Sequence, residues 1–136
     1  MGVIKFHMIR TIRFIIIGFF QVTILSSIFG EELRVATYNL KNYLIMDRMV
    51  GGNWRPAYPK PESEKTIIRQ AIIATSPDIL VLQEIGSCGM LEELRDDLAL
   101  EGVDYSYMKF MRGADLERAM GVLSKHYPKN VTMHND

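Results

Sequence analysis

Residues 79–82 read Ile-Leu-Val-Leu, an uninterrupted apolar run with Pro77 just before it and Gly86 just after. A run this short, half β-branched and bounded by helix breakers, fits a strand buried on both faces better than an amphipathic helix. Such strands occur where helices roof a sheet, so this stretch alone predicts an α/β protein.

The flanking sequence agrees. In residues 33–40, Leu33, Val35 and Thr37 alternate with Arg34, Ala36 and Tyr38, the period of a strand, and Asn39 stands near its end. Pro61, Glu62, Ser63 and Glu64 then supply the proline and acidic first turn of a helix. Ile67, Ile68, Ala71, Ile72 and Thr75 follow at helical spacing, and the helix is predicted to stop before Pro77. Leu91, Leu94 and Leu98 mark a second helix ending at Gly102, and residues 105–111 and 119–124 read as two further strands. Between Lys41 and Pro61 no period is sustained. Gly51, Gly52, Asn53, Pro56, Pro59 and Pro61 mark that segment as a long loop. With 136 residues, 48% of them hydrophobic, the chain has material for one ordinary domain and is not of disordered composition.

The first thirty residues read differently from the rest. Lys5, Arg10 and Arg13 precede an uncharged stretch over residues 14–29, which gives way to Gly30 and Glu31. That order is the pattern of a secretory signal, so residues 1–30 are expected to be an address and residues 31–136 the domain. The stretch is shorter than the roughly 20 apolar residues that span a bilayer, and Gln21 and Thr23 dilute it. A secreted or periplasmic protein, without stable membrane insertion once the signal is cut, is the expectation. An uncleaved anchor formed by residues 14–29 is the alternative. From Glu31 onward the chain carries 13 basic and 16 acidic residues, which argues against a protein that grips nucleic acid by bulk charge. The single cysteine, Cys88, has no intrachain disulfide partner and reads as a small residue in a turn between Gly86 and Gly89.

Chemistry is expected where the apolar strands end. Asn39 closes one and Glu84 the other, and in open α/β sheets the carboxyl ends of adjacent strands form the usual ligand crevice. A carboxylate suits a hard divalent cation such as Mg²⁺, and a neighbouring amide can orient a phosphate or serve as a second ligand. By spacing alone, a solvated strand end or turn former is the preferred reading of each residue.

Leu33-Arg-Val-Ala-Thr-Tyr-Asn-Leu40 together with Ser76-Pro-Asp-Ile-Leu-Val-Leu-Gln-Glu-Ile85 resembles the opening motifs of the endonuclease/exonuclease/phosphatase superfamily. That group includes pancreatic-type deoxyribonucleases, apurinic/apyrimidinic endonucleases, sphingomyelinases and inositol-polyphosphate phosphatases. Arg118-Ala-Met-Gly-Val-Leu-Ser-Lys125 resembles its fourth-strand segment. The resemblance implies the amino-terminal part of a four-layer α/β sandwich of the deoxyribonuclease-like type. It implies a Mg²⁺-dependent hydrolase of phosphate esters, with Mn²⁺ as the alternative ion. Glu84 matches the carboxylate that binds the metal, and Asn39 the asparagine that supports this site. Arg118 stands where it can reach a substrate phosphate, or pair with Asp115 or Glu117. Lys65 lies where the family often has a basic residue, but a solvated helical lysine is the preferred reading.

Members of the superfamily normally carry further segments: one with Tyr or His, a Gly-Asp-x-Asn motif and a Ser-Asp-His motif. The present sequence has none of them. His126 reads as a turn residue and His134 as part of a polar tail, so neither supplies the general base. The expectation is an incomplete domain, inactive by itself, with an apolar sheet face open to water where a second sheet would pack. The partner is a phosphate-ester substrate, nucleic acid among the candidates, and no obligate protein partner is inferred. A non-catalytic, truncated or degenerate copy acting as a membrane-anchored binding protein is the competing expectation. The loop over residues 43–61, with Trp54, Arg55 and Tyr58, is either a substrate lip or a segment pinned to the core by Trp54.

Overall fold

The computed structural model describes residues 32–132. The chain divides into Met1–Glu32 and Leu33–Asp136, and every element below lies in the second unit. The expectations for residues 1–30 and for His134 fall outside the described residues. Among the described residues, no helix is long and apolar enough to cross a membrane.

The elements run β1 (Val35–Tyr43), β2 (Met46–Val50), β3 (Asn53–Tyr58), α1 (Glu62–Thr75), β4 (Ile79–Ile85), α2 (Cys88–Leu100), β5 (Tyr107–Met111) and β6 (Ala119–Ser124). Four strands form one mixed sheet in the order β1-β4-β6-β5, and β2 and β3 form a separate two-stranded ribbon. The protein is thus mixed α/β, as the apolar run at Ile79 predicts. β4 pairs in parallel with β1 and antiparallel with β6, which places it in the interior of the sheet.

Local sequence accounts for most boundaries. Pro61 caps α1, its fixed φ of −57° needing no N–H, and Glu62 and Glu64 sit in the first turn, where the positive end of the helix dipole favours them. The helix ends at Ser76, whose left-handed φ of 42° lets its N–H reach the Ile72 carbonyl, and Pro77 forbids continuation. α2 begins under the Ser87 side chain, which accepts from the Met90 N–H. Cys88 is therefore the exposed first residue of a helix, not part of a turn. The helix dominates because Ser87 is a good cap and Leu91, Leu94 and Leu98 bury one stripe.

Both helices lie on the same face of the sheet. Ile68 and Ile72 of α1 and Leu91, Leu94 and Leu98 of α2 join Leu40, Leu80, Leu82, Ile85 and Leu123 in one buried cluster. α2 comes so close that a Cβ on Gly121 would stand 2.8 Å from a Leu91 methyl, so a larger residue on β6 there would have to displace the Leu91 side chain. Arg69, only 7% exposed, ties the helices together through Glu62 of α1 and Asp97 and Glu101 next to the end of α2. Tyr105 precedes β5, one residue pair later than the predicted strand start, and its buried hydroxyl donates to the Pro77 carbonyl at 3.0 Å. Burial pushes that phenol up to about 12.

The opposite face corrects the first expectation. Leu80, Leu82 and Ile85 are buried, whereas Ile79 and Val81 are only half-buried, so β4 is covered fully on one side. On the uncovered side Val35 is 63% and Met120 44% exposed. An apolar run can satisfy the pattern of a two-face-buried strand while, among the described residues, helices cover only one face of the sheet, because the pattern reports suitability for burial and not the burial itself.

A second correction concerns residues 41–61. The predicted loop contains the β2–β3 hairpin, closed by Gly51 and Gly52 with φ of 58° and 80°. Successive positive φ values suit the tight turn that matches strand twist, and glycine adopts them without penalty. Val50 pairs with Asn53, Met49 with Trp54 and Arg48 with Arg55. β1 also runs three residues beyond the predicted end, to Tyr43.

Candidate functional site

The parallel register of β1 and β4 sets Asn39 opposite Gln83, with Glu84 next along the chain. Beyond that point the ladder is irregular: three residues of β1 separate the pairs Asn39–Gln83 and Tyr43–Ile85, against one residue of β4. The antiparallel ladder to β6 is irregular at the same place, between Gln83 and Ile85. Bulges re-aim side chains, and here the re-aimed one is Glu84, whose φ of 63° is rare for a residue with a Cβ. Lys41 and Asn42 on the opposing strand share this left-handed conformation, with φ of 51° and 61°.

The two residues singled out from sequence meet. Asn39 Nδ2 donates to Glu84 Oε1 at 2.9 Å, although 45 positions separate them. The second carboxylate oxygen, Oε2, accepts from the Asn42 backbone N–H at 2.9 Å. Asn39 Oδ1 in turn accepts from the Lys41 N–H at 2.8 Å, which fixes the orientation of its amide. The Asn39 hydrogen bond, the Asn42 N–H and the positive charges of Arg118 and Lys60 hold the Glu84 carboxyl below the usual carboxylate range, against a smaller desolvation effect. Glu84 is therefore ionised at neutral pH. A carboxylate has about four acceptor positions, so these two donors leave about two for another ligand.

Arg118 sits at the start of β6. Its Nε donates to Asn42 Oδ1 at 2.8 Å, and its Nη1 stands 3.5 Å from Asp115 and 3.7 Å from Glu117. Both sequence-level roles thus meet in one side chain: the ion pairs with Asp115 and Glu117 are present, and the guanidinium is also joined to the Glu84 cluster through Asn42. Its side chain remains 37% exposed.

Asn42 is the residue that sequence reasoning passed over. Its N–H serves Glu84, its side-chain oxygen serves Arg118, and its carbonyl accepts from Arg48 Nη2, which also holds the Leu44 carbonyl at 2.9 Å. Lys60, 6% exposed, holds the preceding carbonyl of Lys41 at 2.9 Å and pairs with Glu64. Asparagine tolerates the left-handed region better than most residues, and an Asn three positions after a strand-ending Asn was the available signal.

Two other expectations change. Lys65 is not solvated: its side chain is 11% exposed, pairs with Glu93 of α2, and lies 5.3 Å from the centre of the Tyr43 ring. It belongs to the helix–helix contact, its charge spent on Glu93. Trp54 does not pin its segment to the core, being 63% exposed on the ribbon. His126 is an exposed turn residue, as expected.

A cleft of about 610 Å³ opens where the segments after β1 and β4 meet the one before β6, lined by Leu44, Ile45, Met46, Met90 and Leu116 and edged by Asp47 and Glu117. Gly86 forms its floor and leaves no room for a side chain, since a Cβ there would lie 2.5 Å from Leu44 Cβ. Among the described residues no three of His, Cys, Asp and Glu gather as a ready-made metal cage. No protein-family model matches the chain, and neither a curated protein nor a solved structure matches it.

Proposed function

We propose that the chain carries part of the active site of a Mg²⁺-dependent phosphoesterase, Glu84 serving as the metal ligand and Asn39 as its support. The observation that most supports this is the 2.9 Å contact of Asn39 with a Glu84 carboxylate held ionised where the regular parallel pairing of β1 with β4 breaks, Glu84 on a left-handed backbone. Residues in such conformations persist where the surrounding structure over-determines them, and they concentrate at functional sites. The donor set fits the ion. Mg²⁺ is ordinarily held by one or two carboxylates and completed by water and substrate oxygens, and Glu84 offers one carboxylate with free acceptor positions. Bound there, the ion would polarise a phosphoryl oxygen and offset charge on the departing alcohol. Arg118 is the group available to hold a second phosphate oxygen, and Asn39 keeps the Glu84 carboxylate facing the ion.

With the sequence motifs, this reading places the chain in the endonuclease/exonuclease/phosphatase superfamily and its sheet in one half of a four-layer sandwich. The half-exposed face bearing Val35, Val81 and Met120 is consistent with a second sheet packing there. The general base and the remaining acidic groups that the chemistry requires are not among the motifs of this sequence, so binding, not turnover, is the property to test. Residues 1–30 would direct the protein out of the cytoplasm.

Mn²⁺ is the probe, its binding read from electron paramagnetic resonance of the free ion. The full chain should bind one Mn²⁺, displaced by excess Mg²⁺, and Glu84→Gln should weaken binding at least about tenfold, as loss of a charged ligand does. Equal binding by the two proteins would remove Glu84 from the site and favour a non-catalytic binding protein.

A further inference from the structure

The β2–β3 ribbon has features that the Glu84 site does not use. β3 is exposed at every residue, so one edge and both faces of the ribbon are open to solvent there. Trp54 and Met49 pair across one face, 63% and 66% exposed, where folding would ordinarily bury them. On the other face Arg48 pairs directly with Arg55. Like charges opposite one another in a ladder destabilise it, so this pair calls for an anion. Arg48 is occupied with the carbonyls of Asn42, Leu44 and Tyr58. The Arg55 side chain has no hydrogen bond or ion pair among the described residues, and the acid on the ribbon, Asp47, is engaged by the Ala57 N–H at 2.9 Å.

Charge is distributed to match. Residues 41–60 hold four basic residues and one acidic, whereas the remainder of 31–136 holds nine basic and fifteen acidic. Lys41 lies on β1 and Lys60 is spent on Glu64, so the ribbon itself, residues 46–58, carries Arg48 and Arg55 against Asp47, one net positive charge on an anionic body. Bulk composition conceals this, and it confines any polyanion to the ribbon.

We infer that the β2–β3 ribbon is a docking arm for single-stranded nucleic acid. Trp54 stacks on an unpaired base, with Met49 extending the apolar platform, and Arg55, next along the free edge but on the opposite face, meets the phosphate of the strand as it passes round that edge. A strand with accessible base faces is required, since paired bases inside a duplex offer none. A lipid surface fits less well, because the tip that would enter it first is Gly51-Gly52-Asn53, small and polar. The arm does not touch Glu84 and needs no metal, so the inference stands independently of the phosphoesterase reading.

Trp54 is the sole tryptophan, so the emission of the unlabelled full chain reports on this arm alone. Titration with a twelve-nucleotide oligothymidylate should quench it, with a dependence on log salt of slope about −1.4 if two phosphates are contacted. Arg55→Ala retains the fluorophore, breaks no contact in the protein, and should weaken binding about tenfold and lower the salt slope by about 0.7. Trp54→Ala, followed by oligonucleotide anisotropy, should cost about tenfold or more. Glu84→Gln should bind as the parent does, which separates this result from the metal test. Absence of quenching, or unchanged affinity in Arg55→Ala, overturns the inference. A blue shift with phosphatidylserine vesicles and none of the quenching with oligonucleotide would overturn it too, assigning the arm to membranes.

Discussion

Arg69 lies 7% exposed between the two helices and spends four of its five N–H donors on Glu62, Thr66, Asp97 and Glu101, whereas Glu84 holds only two neutral donors on its two oxygens. Each is a charged residue at a junction between elements, and each is surrounded by groups of complementary polarity. The Arg69 cluster is closed: opposite charges come into contact and nearly every donor is used. The Glu84 cluster is open. Its cations, Arg118 and Lys60, act at a distance and are themselves occupied by Asn42, Lys41 and Glu64, so the carboxylate stays ionised while keeping acceptor capacity. A closed network stabilises the packing of α1 on α2; an open one is what a ligand can complete. The backbone makes the same distinction, since Arg69 sits in mid-helix and Glu84, Asn42 and Lys41 all adopt left-handed φ.

Removing the closed network should have the largest effect. Arg69→Met keeps most of the apolar stem and leaves three carboxylates without their cation. Because those acids are a third to two-thirds exposed, the expected loss is roughly 2–3 kcal/mol, less than the roughly 3–5 of a fully buried pair. Urea denaturation measures it, and a loss below about 0.5 kcal/mol would mean that the cluster is no bolt at all.

The open network should respond less in stability and more in geometry. Asn42→Ala removes the acceptor of Arg118 Nε and puts a less tolerant residue at φ 61°, an expected cost of about 1–2 kcal/mol. Because the Asn42 N–H remains, Mn²⁺ affinity should fall less than in Glu84→Gln. Equal losses in the two variants would show that the metal depends on loop position more than on the carboxylate.

The smallest effect is a titration. The carbon resonance of the Glu84 carboxyl should show a midpoint below that of an ordinary glutamate, and Asn39→Ala should move it up, since the Asn39 amide is the largest cause of the depression. A lowered native value means that the group's stabilising contribution is complete above the unfolded glutamate pKa, about 4.3, and disappears as pH falls through the native one. Acid should therefore erode the open cluster below about pH 4, with neutral pH unaffected. An unshifted midpoint in Asn39→Ala would break the link between the two side chains.

Legibility followed the range of the interactions. α1, β4, α2 and β6 appear in the sequence because their signals lie within a few residues: Pro61 and two glutamates, Pro77, the Leu91–Leu94–Leu98 stripe, the apolar run itself. The β2–β3 hairpin was missed because an exposed ribbon has no buried face to impose alternation, and Pro56 argued against a strand. Gly51-Gly52 was its one local mark. Lys65 was misjudged because its partner, Glu93, lies on another helix.

From sequence alone, then, follow the α/β class, the two helices and the Pro61 start of the first, because short-range sterics and hydrophobic period act within single elements, and with the motif resemblance the candidacy of Asn39, Glu84 and Arg118. Tertiary structure decided the rest: that Asn39 and Glu84 touch across 45 positions, that bulges on two ladders turn Glu84 outward, and that Asn42 joins it to Arg118. Those depend on strand register, and register is settled only when distant segments pack against one another and fit a shared core.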